Sequence, residues 1–161
     1  MRCYHLCNMY LSSIQQGVQS AHAQMELFVK YQEDSTKKSI LFDWAENHKT
    51  MIVLNGGFLS DMKESINFFR ENDNPNPFAV FHESEEALGG ILTNIAIVLP
   101  EKIYKTSELI RKKLLDENLN SNHCLNIVDE VNLKKTMDSF GKFSEFEIEL
   151  CSFMNNFRLA N

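Results

Sequence analysis

No long run of lysine or arginine stands in this chain of 161 residues, whose 16 basic side chains are outnumbered by 22 acidic ones for a net charge of −6. A long polyanion is held mainly through its phosphates, so this balance argues against tRNA or duplex DNA and leaves room for a small ligand with a few phosphates. Long apolar runs are missing too. Nothing approaches the roughly 20 residues of a membrane span, and the N-terminus lacks the charged-then-apolar order of a signal peptide. The expectation is a soluble, cytoplasmic protein with no membrane partner.

Cysteine is sparse. Cys3, Cys7, Cys124 and Cys151 form neither a CxxC pair nor a regular spacing, so reduced thiols are expected, with no disulfide framework, zinc site or other cofactor. Cys3, His5 and Cys7 alternate along the first predicted strand, which is expected to put the histidine on the face opposite the two cysteines. Glycine and proline are few, 6 and 3, and there is no internal repeat or low-complexity tract.

What is present suits one globular core: 43% of the residues are hydrophobic, with 12 Phe and a single Trp. Residues 3–11 read as a strand and 14–32 as a helix, followed by a shorter helix over Lys37–Asn47. The segment Thr50–Gly57, TMIVLNGG, combines β-branched residues with a Gly-Gly stop, which marks a strand and a tight connection. Leu59–Arg70 returns to helical spacing, Asn72–Pro77 is a turn by composition, and Phe78–Glu83 and Thr93–Pro100 suit a sheet. This order predicts an α/β domain of two or three layers with a mixed sheet of about four strands flanked by helices.

From Lys105 onward the pattern is helical. Val128–Met137 suggests a short helix, and Ser144–Arg158 opens on a capping box, Ser144 with Glu147 three residues later. The predicted division is an α/β domain over 1–104 and a helical extension over 105–161. The apolar stripe of the last helix, Phe146, Leu150, Phe153, Met154 and Phe157, is expected either to close the core or to join subunits.

The chemistry concentrates where the first strand hands over to the first long helix. Ile14, Val18, Ala21, Met25 and Phe28 step by four and three, predicting the face that packs on the sheet. Gln15, Gln19, His22 and Glu26 form the opposite stripe. Ser12 and Ser13 are candidate N-caps, and a helix start attracts anions through its unpaired N–H groups and positive dipole end. Gly17 inside the helix suggests close approach of a backbone or ligand.

The residues SSIQQGVQSAHA resemble the KGKxAAQxSHA motif of the type 2, archaeal and eukaryotic, peptidyl-tRNA hydrolases. FAVFHESEEALGGILTNIAIVLP resembles that family's DAGxTxxxxGTxTVLAxGP, with Thr93 on the second threonine and Pro100 near the closing proline. The resemblance spans roughly residues 3–104 and implies the type 2 peptidyl-tRNA hydrolase fold. Gln19, His22 and Ala23 match. Ser13 and Gln15 stand where the motif has lysines, and His82 or Glu83 falls near its aspartate. Ester hydrolysis of this type requires cations for the tRNA phosphates and an acid/base pair, each typically worth 10²-fold or more. The departures therefore point to a binding module with no catalytic residues.

In that form the chain is similar to bacteriophage proteins of the anti-CBASS type, which sequester cyclic oligonucleotide signals of host defence. The similarity implies a cyclic dinucleotide or trinucleotide ligand, a homo-oligomer and, for a viral protein, the host cell cytoplasm. The ligand set expected from the pocket and the resemblance together is Tyr10, Ser12, Ser13, Gln15, Gln19, His22, Glu83, Thr93, Asn94, Lys102 and Tyr104, with Tyr10, Phe81 and Tyr104 as stacking platforms. The alternative is a divergent peptidyl-tRNA hydrolase using His22 or Glu83. A third reading is an adaptor that binds another protein through its helical extension.

Overall fold

A computed structural model of the chain describes residues 1–71, 74–119 and 133–160. The expected helix over Val128–Met137 lies partly outside these, and a helix, α6, is seen over 133–140. Two compact units result. One comprises Met1–Leu99 with the returning tail Phe157–Asn161, the other Pro100–Asn156. The sheet unit thus ends five residues before the expected boundary and recovers the last residues of the chain.

The sheet unit runs β1 (Arg2–Cys7), α1 (Ser13–Lys30), α2 (Ser35–Asp43), β2 (Met51–Asn55), α3 (Leu59–Glu71), β3 (Phe78–His82), α4 (Glu85–Leu88) and β4 (Leu92–Leu99). The strands lie in the order β2-β1-β4-β3, with β1 and β2 parallel and the other pairs antiparallel, so the sheet is mixed and four-stranded as its sequence predicts. β4 is central, and all eight of its residues are buried. In the tail, Leu159 bridges Leu54 in antiparallel sense, and the Arg158 carbonyl accepts from the Asn55 amide at 2.9 Å.

Register explains the layers. Ala96 and Val98 of β4 share a core with Ala23 and Leu27 of α1, with Tyr31 at its C-cap and with Leu41 and Trp44 beyond it. Side chains alternate along a strand, so Ile97 turns to the other face, where its register partner Phe78 meets the Phe69 ring of α3 at 5.6 Å. Helices therefore cover both faces, and three layers form.

The elements begin and end for local reasons. The β1 strand is shorter than expected because Asn8 folds back, its side-chain carbonyl accepting from the Tyr10 amide at 3.1 Å. Asp34 caps α2 by accepting from the amides of Thr36 and Lys37. A wider helical turn over Trp44–His48 then closes on Lys49, whose φ of 56° lies in the left-handed region. Gly56 sits where a Cβ would come within 3.0 Å of the Cys7 carbonyl oxygen, so the Gly-Gly stop is a close approach of two backbones. The short α4, not expected in the acidic segment, is capped by Ser84, whose hydroxyl accepts from the Ala87 amide at 3.2 Å, and closes on Gly89 in the left-handed region.

The helical unit comprises α5 (Glu101–Leu119), α6 and α7 (Glu145–Phe153), which ends in a tighter turn over Met154–Asn156. The expected capping box is present: Ser144 accepts from the Glu147 amide, and Glu147 accepts from the Ser144 amide at 3.0 Å. Leu150, Cys151 and Met154 are buried, and Phe146 and Phe153 are partly buried. Among the described residues no helix is long and apolar enough to cross a membrane.

Candidate functional site

The sequence misassigns which face of α1 meets the sheet. Ile14 is 82% exposed, Val18 49% and Met25 64%, whereas Gln16, Gln19, Ser20, Ala23 and Leu27 are the buried residues. The reason lies in the sheet. Opposite this part of α1 it presents Cys7, Thr93 and Asn94, which offer hydrogen bonds rather than apolar area, and the helix turns its polar side to satisfy them.

A bulge shapes that polar patch. Phe81 pairs with Asn94 and His82 with Leu92, which leaves Thr93 as an extra residue on β4. Extra residues of this kind re-aim side chains, and here Thr93 and its neighbour Asn94 both reach α1 although a regular strand would send them to opposite faces. Thr93 donates from Oγ1 to Gln19 Oε1 at 2.9 Å. Asn94 donates from Nδ2 to Ser20 Oγ at 3.1 Å and to Cys7 Sγ at 2.9 Å.

Gln19 is the centre of the outer set, only 5% exposed. Its Nε2 donates to Glu83 Oε2 at 2.7 Å, so one amide joins α1, the end of β3 and the bulge of β4. The Gln19 amide foremost, and the backbone N–H of Ser84 after it, hold the Glu83 carboxyl below the usual carboxylate range against a smaller opposing desolvation, with the His22 ring contributing further. His22 itself lies on the outer surface, stacked on Phe81 with ring centres 4.8 Å apart and planes 9° from parallel.

Beside this set is a cavity of about 190 Å³ lined by Asn8, Tyr10, Leu11, Gln15, Ile91 and Thr93. Tyr10, 75% exposed, meets Phe58 edge-on at 5.5 Å. Asn8 donates to the Leu92 carbonyl at 3.1 Å, fixing the cavity floor. Ser12 caps α1 as expected, and its amide and hydroxyl both donate to Gln15 Oε1, at 2.9 and 3.0 Å. The helix start therefore satisfies itself in part, and no described lining side chain is cationic. Ser13 is the exposed first residue of α1 and does not line the cavity.

Several expectations require correction. Asn94 is fully buried in a central strand, bonded within the protein, rather than at a ligand-facing sheet edge. Lys102 and Tyr104 belong to the helical unit and do not line the cavity; Lys102 forms an ion pair with Glu147 and lies over the Phe143 ring at 5.4 Å, so its charge is already matched. Gly17 has open space where a Cβ would be, so none of the described residues approaches it closely.

Cys3, His5 and Cys7 share one face, because residues two apart on a strand point the same way. His5 Nε2 lies 3.4 Å from Cys3 Sγ and Nδ1 3.2 Å from Asn94 Oδ1. The Asn94 oxygen can only accept, which puts the ring proton on Nδ1 and leaves Nε2 to accept from the Cys3 thiol. Burial lowers the His5 pKa to about 4, against the Asn94 bond that raises it, and burial likewise pushes the Cys3 and Cys7 thiols up. Neither thiol has the lowered pKa that marks a nucleophile.

Sequence reasoning missed Asn8, Leu11 and Ile91 as lining residues. An asparagine at the end of a strand is a turn signal that would have located the first; Leu11 and Ile91 carry no comparable signature. No protein-family model and no curated protein sequence matches the chain.

Proposed function

We propose that this chain is a non-catalytic nucleotide-binding protein, a viral sponge for cyclic oligonucleotide messengers of host defence that works in the host cytoplasm. The observation that carries the reading is the convergence of Gln19, Glu83 and Thr93, from three separate elements, next to a cavity whose lining offers the side chains of Asn8, Gln15, Thr93 and Tyr10. Amide and hydroxyl groups suit the edge of a base, and an exposed tyrosine suits its face, where stacking contributes about 1–3 kcal/mol.

At about 190 Å³ the cavity is smaller than the roughly 300–1,000 Å³ of whole-ligand pockets, so it suits one base, with the phosphates outside. The neighbouring Glu83 carboxylate disfavours phosphate close to Gln19. Recognition through bases also supports a sponge, since a bound messenger needs only to be held for long times. A homo-oligomer fits this reading, and the exposed apolar row Ile14, Val18, Met25 and Val29 supports it.

The alternative is a divergent peptidyl-tRNA hydrolase in which His22 or Glu83 takes the acid/base role. A carboxylate held below its usual range is a weaker base, which weighs against it. Thermal-shift measurements against a panel of cyclic dinucleotides and trinucleotides test the proposal. Ligand at 100 times its Kd stabilises a fold by about 2.7 kcal/mol, and Tyr10→Ala and Gln15→Ala should each weaken the response. Turnover of an acyl-tRNA analogue, lost in His22→Ala, would instead establish the enzyme; silence across the panel would remove the sponge.

A further inference from the structure

At the opposite end of α1, a second and larger cavity of about 570 Å³ is lined by Lys30, Tyr31, Lys37, Phe69, Arg70, Asn74 and Phe78. Its three cationic residues come from the ends of separate elements, the last residue of α1, the first turn of α2 and the last turn of α3. Gln15 and Lys30 are separated by about 22 Å along the helix axis, so this site is independent of the first.

The cations are held by apolar and dipolar groups. Lys30 Nζ donates to the Phe78 carbonyl at 2.8 Å and lies 4.1 Å from the centre of the Phe78 ring. Lys30 and Lys37 both lie 5.1 Å from the centre of the Tyr31 ring, and the Tyr31 hydroxyl donates to the same Phe78 carbonyl at 3.0 Å. None of the ion pairs among the described residues involves Lys30, Lys37 or Arg70. The neighbouring carboxylate of Asp34 accepts from the backbone amides of Thr36 and Lys37 as the α2 cap.

Two costs are left standing in this arrangement. Partial burial, then the charges of Lys37 and Arg70, lower the Lys30 pKa. Lys37 also puts a cation in the first turn of α2, against the positive end of the helix dipole. Local rules are broken without local gain most often where a ligand supplies the compensation.

We propose that this cavity is an anion site that takes a small phosphorylated molecule, held by Lys30, Lys37 and Arg70 against the aromatic wall of Tyr31 and Phe78. A phosphate group carries about −1.5 to −2 charges and three acceptor oxygens, which matches three converging cations better than a single carboxylate does. Arginine supplies a planar fork and the lysines mobile point charges, and charge-assisted bonds of this kind are roughly twice as strong as neutral ones. The volume lies within the range of small-molecule pockets. A nucleic-acid strand is disfavoured by the net charge of −6 of the chain as a whole.

Isothermal titration of the full chain with pyrophosphate and, separately, with adenosine diphosphate tests the site and distinguishes a bare phosphate preference from one that includes a nucleoside. Binding is expected to weaken with added salt. Lys37→Gln and Arg70→Gln should each lower affinity about tenfold, equivalent to about 1.4 kcal/mol. Without ligand, Lys37→Gln should melt no lower than the parent, since it relieves repulsion, so lost binding cannot be confused with lost folding. Binding of either probe with this loss in both variants supports the proposal. No heat from either probe at low ionic strength, or equal affinities in parent and variants, overturns it.

Discussion

Gln19 donates to the Glu83 carboxylate at 2.7 Å across 64 residues of sequence, and through this bond the first helix and the end of the third strand share one charge. Glu83 is held below its ordinary pKa, chiefly by that amide. A carboxyl with a depressed folded-state pKa adds stability that is present above its unfolded value and lost as pH falls through its folded one. Gln19→Ala should move the Glu83 titration, followed by NMR, back towards the ordinary range. A titration unmoved by the substitution would show that the bond does not set it.

Thr93→Val keeps the shape of the bulge but removes the donor to Gln19 Oε1. Leaving that buried oxygen unpaired should cost about 1–3 kcal/mol. Urea denaturation would register this as a lower midpoint at unchanged slope.

His5 gives the fold an acid sensitivity. Its pKa is lowered from 6.5 to about 4, so protonation is easier in the unfolded chain. Stability should be full above pH 6.5 and fall between 6.5 and about 4, by an amount on the order of 3 kcal/mol for this residue. Comparing denaturation of the parent and His5→Gln at neutral and acid pH isolates it: the variant should lose less on acidification.

Gly17 stands inside α1 with no atom of the described residues within 4 Å of the point where an alanine methyl would sit, so the glycine brings no packing benefit there. Gly17→Ala should raise stability by about 0.5–1 kcal/mol through helix propensity alone. A lower melting temperature would indicate a neighbour on that face.

The outward apolar row of α1 carries the oligomer proposal. Light scattering after size exclusion should give a mass above the 18.6 kDa of one chain. Replacing Val18 and Met25 by Lys should return the mass to that of a single chain, without change in the melting of the fold itself.

Much of the architecture could be read in advance because its signals are local. The β-branched runs around Ile52 and Ile95, the Gly56-Gly57 stop, and the Ser12 and Ser144 caps act within a few residues, and each stands where its chemistry says. Cys3, His5 and Cys7 stand two apart along β1, and a period of two puts all three on one face. The burial of α1 failed for a different reason. Periodicity marks an apolar face but does not say which surface the helix will meet, and among the described residues Ile14 and Met25 stay exposed.

The chain by itself determined the element order, the mixed α/β class, the helix caps and the polar character of the first strand-to-helix junction, all consequences of residue type and spacing over short distances. Only the tertiary structure decided that Gln19 would face Glu83 and Thr93, that Lys102 would be matched by Glu147, and that Lys30, Lys37 and Arg70 would surround one cavity. Those outcomes depend on strand register, a single bulged residue and the crossing of distant helix ends, and no local pattern carries that information.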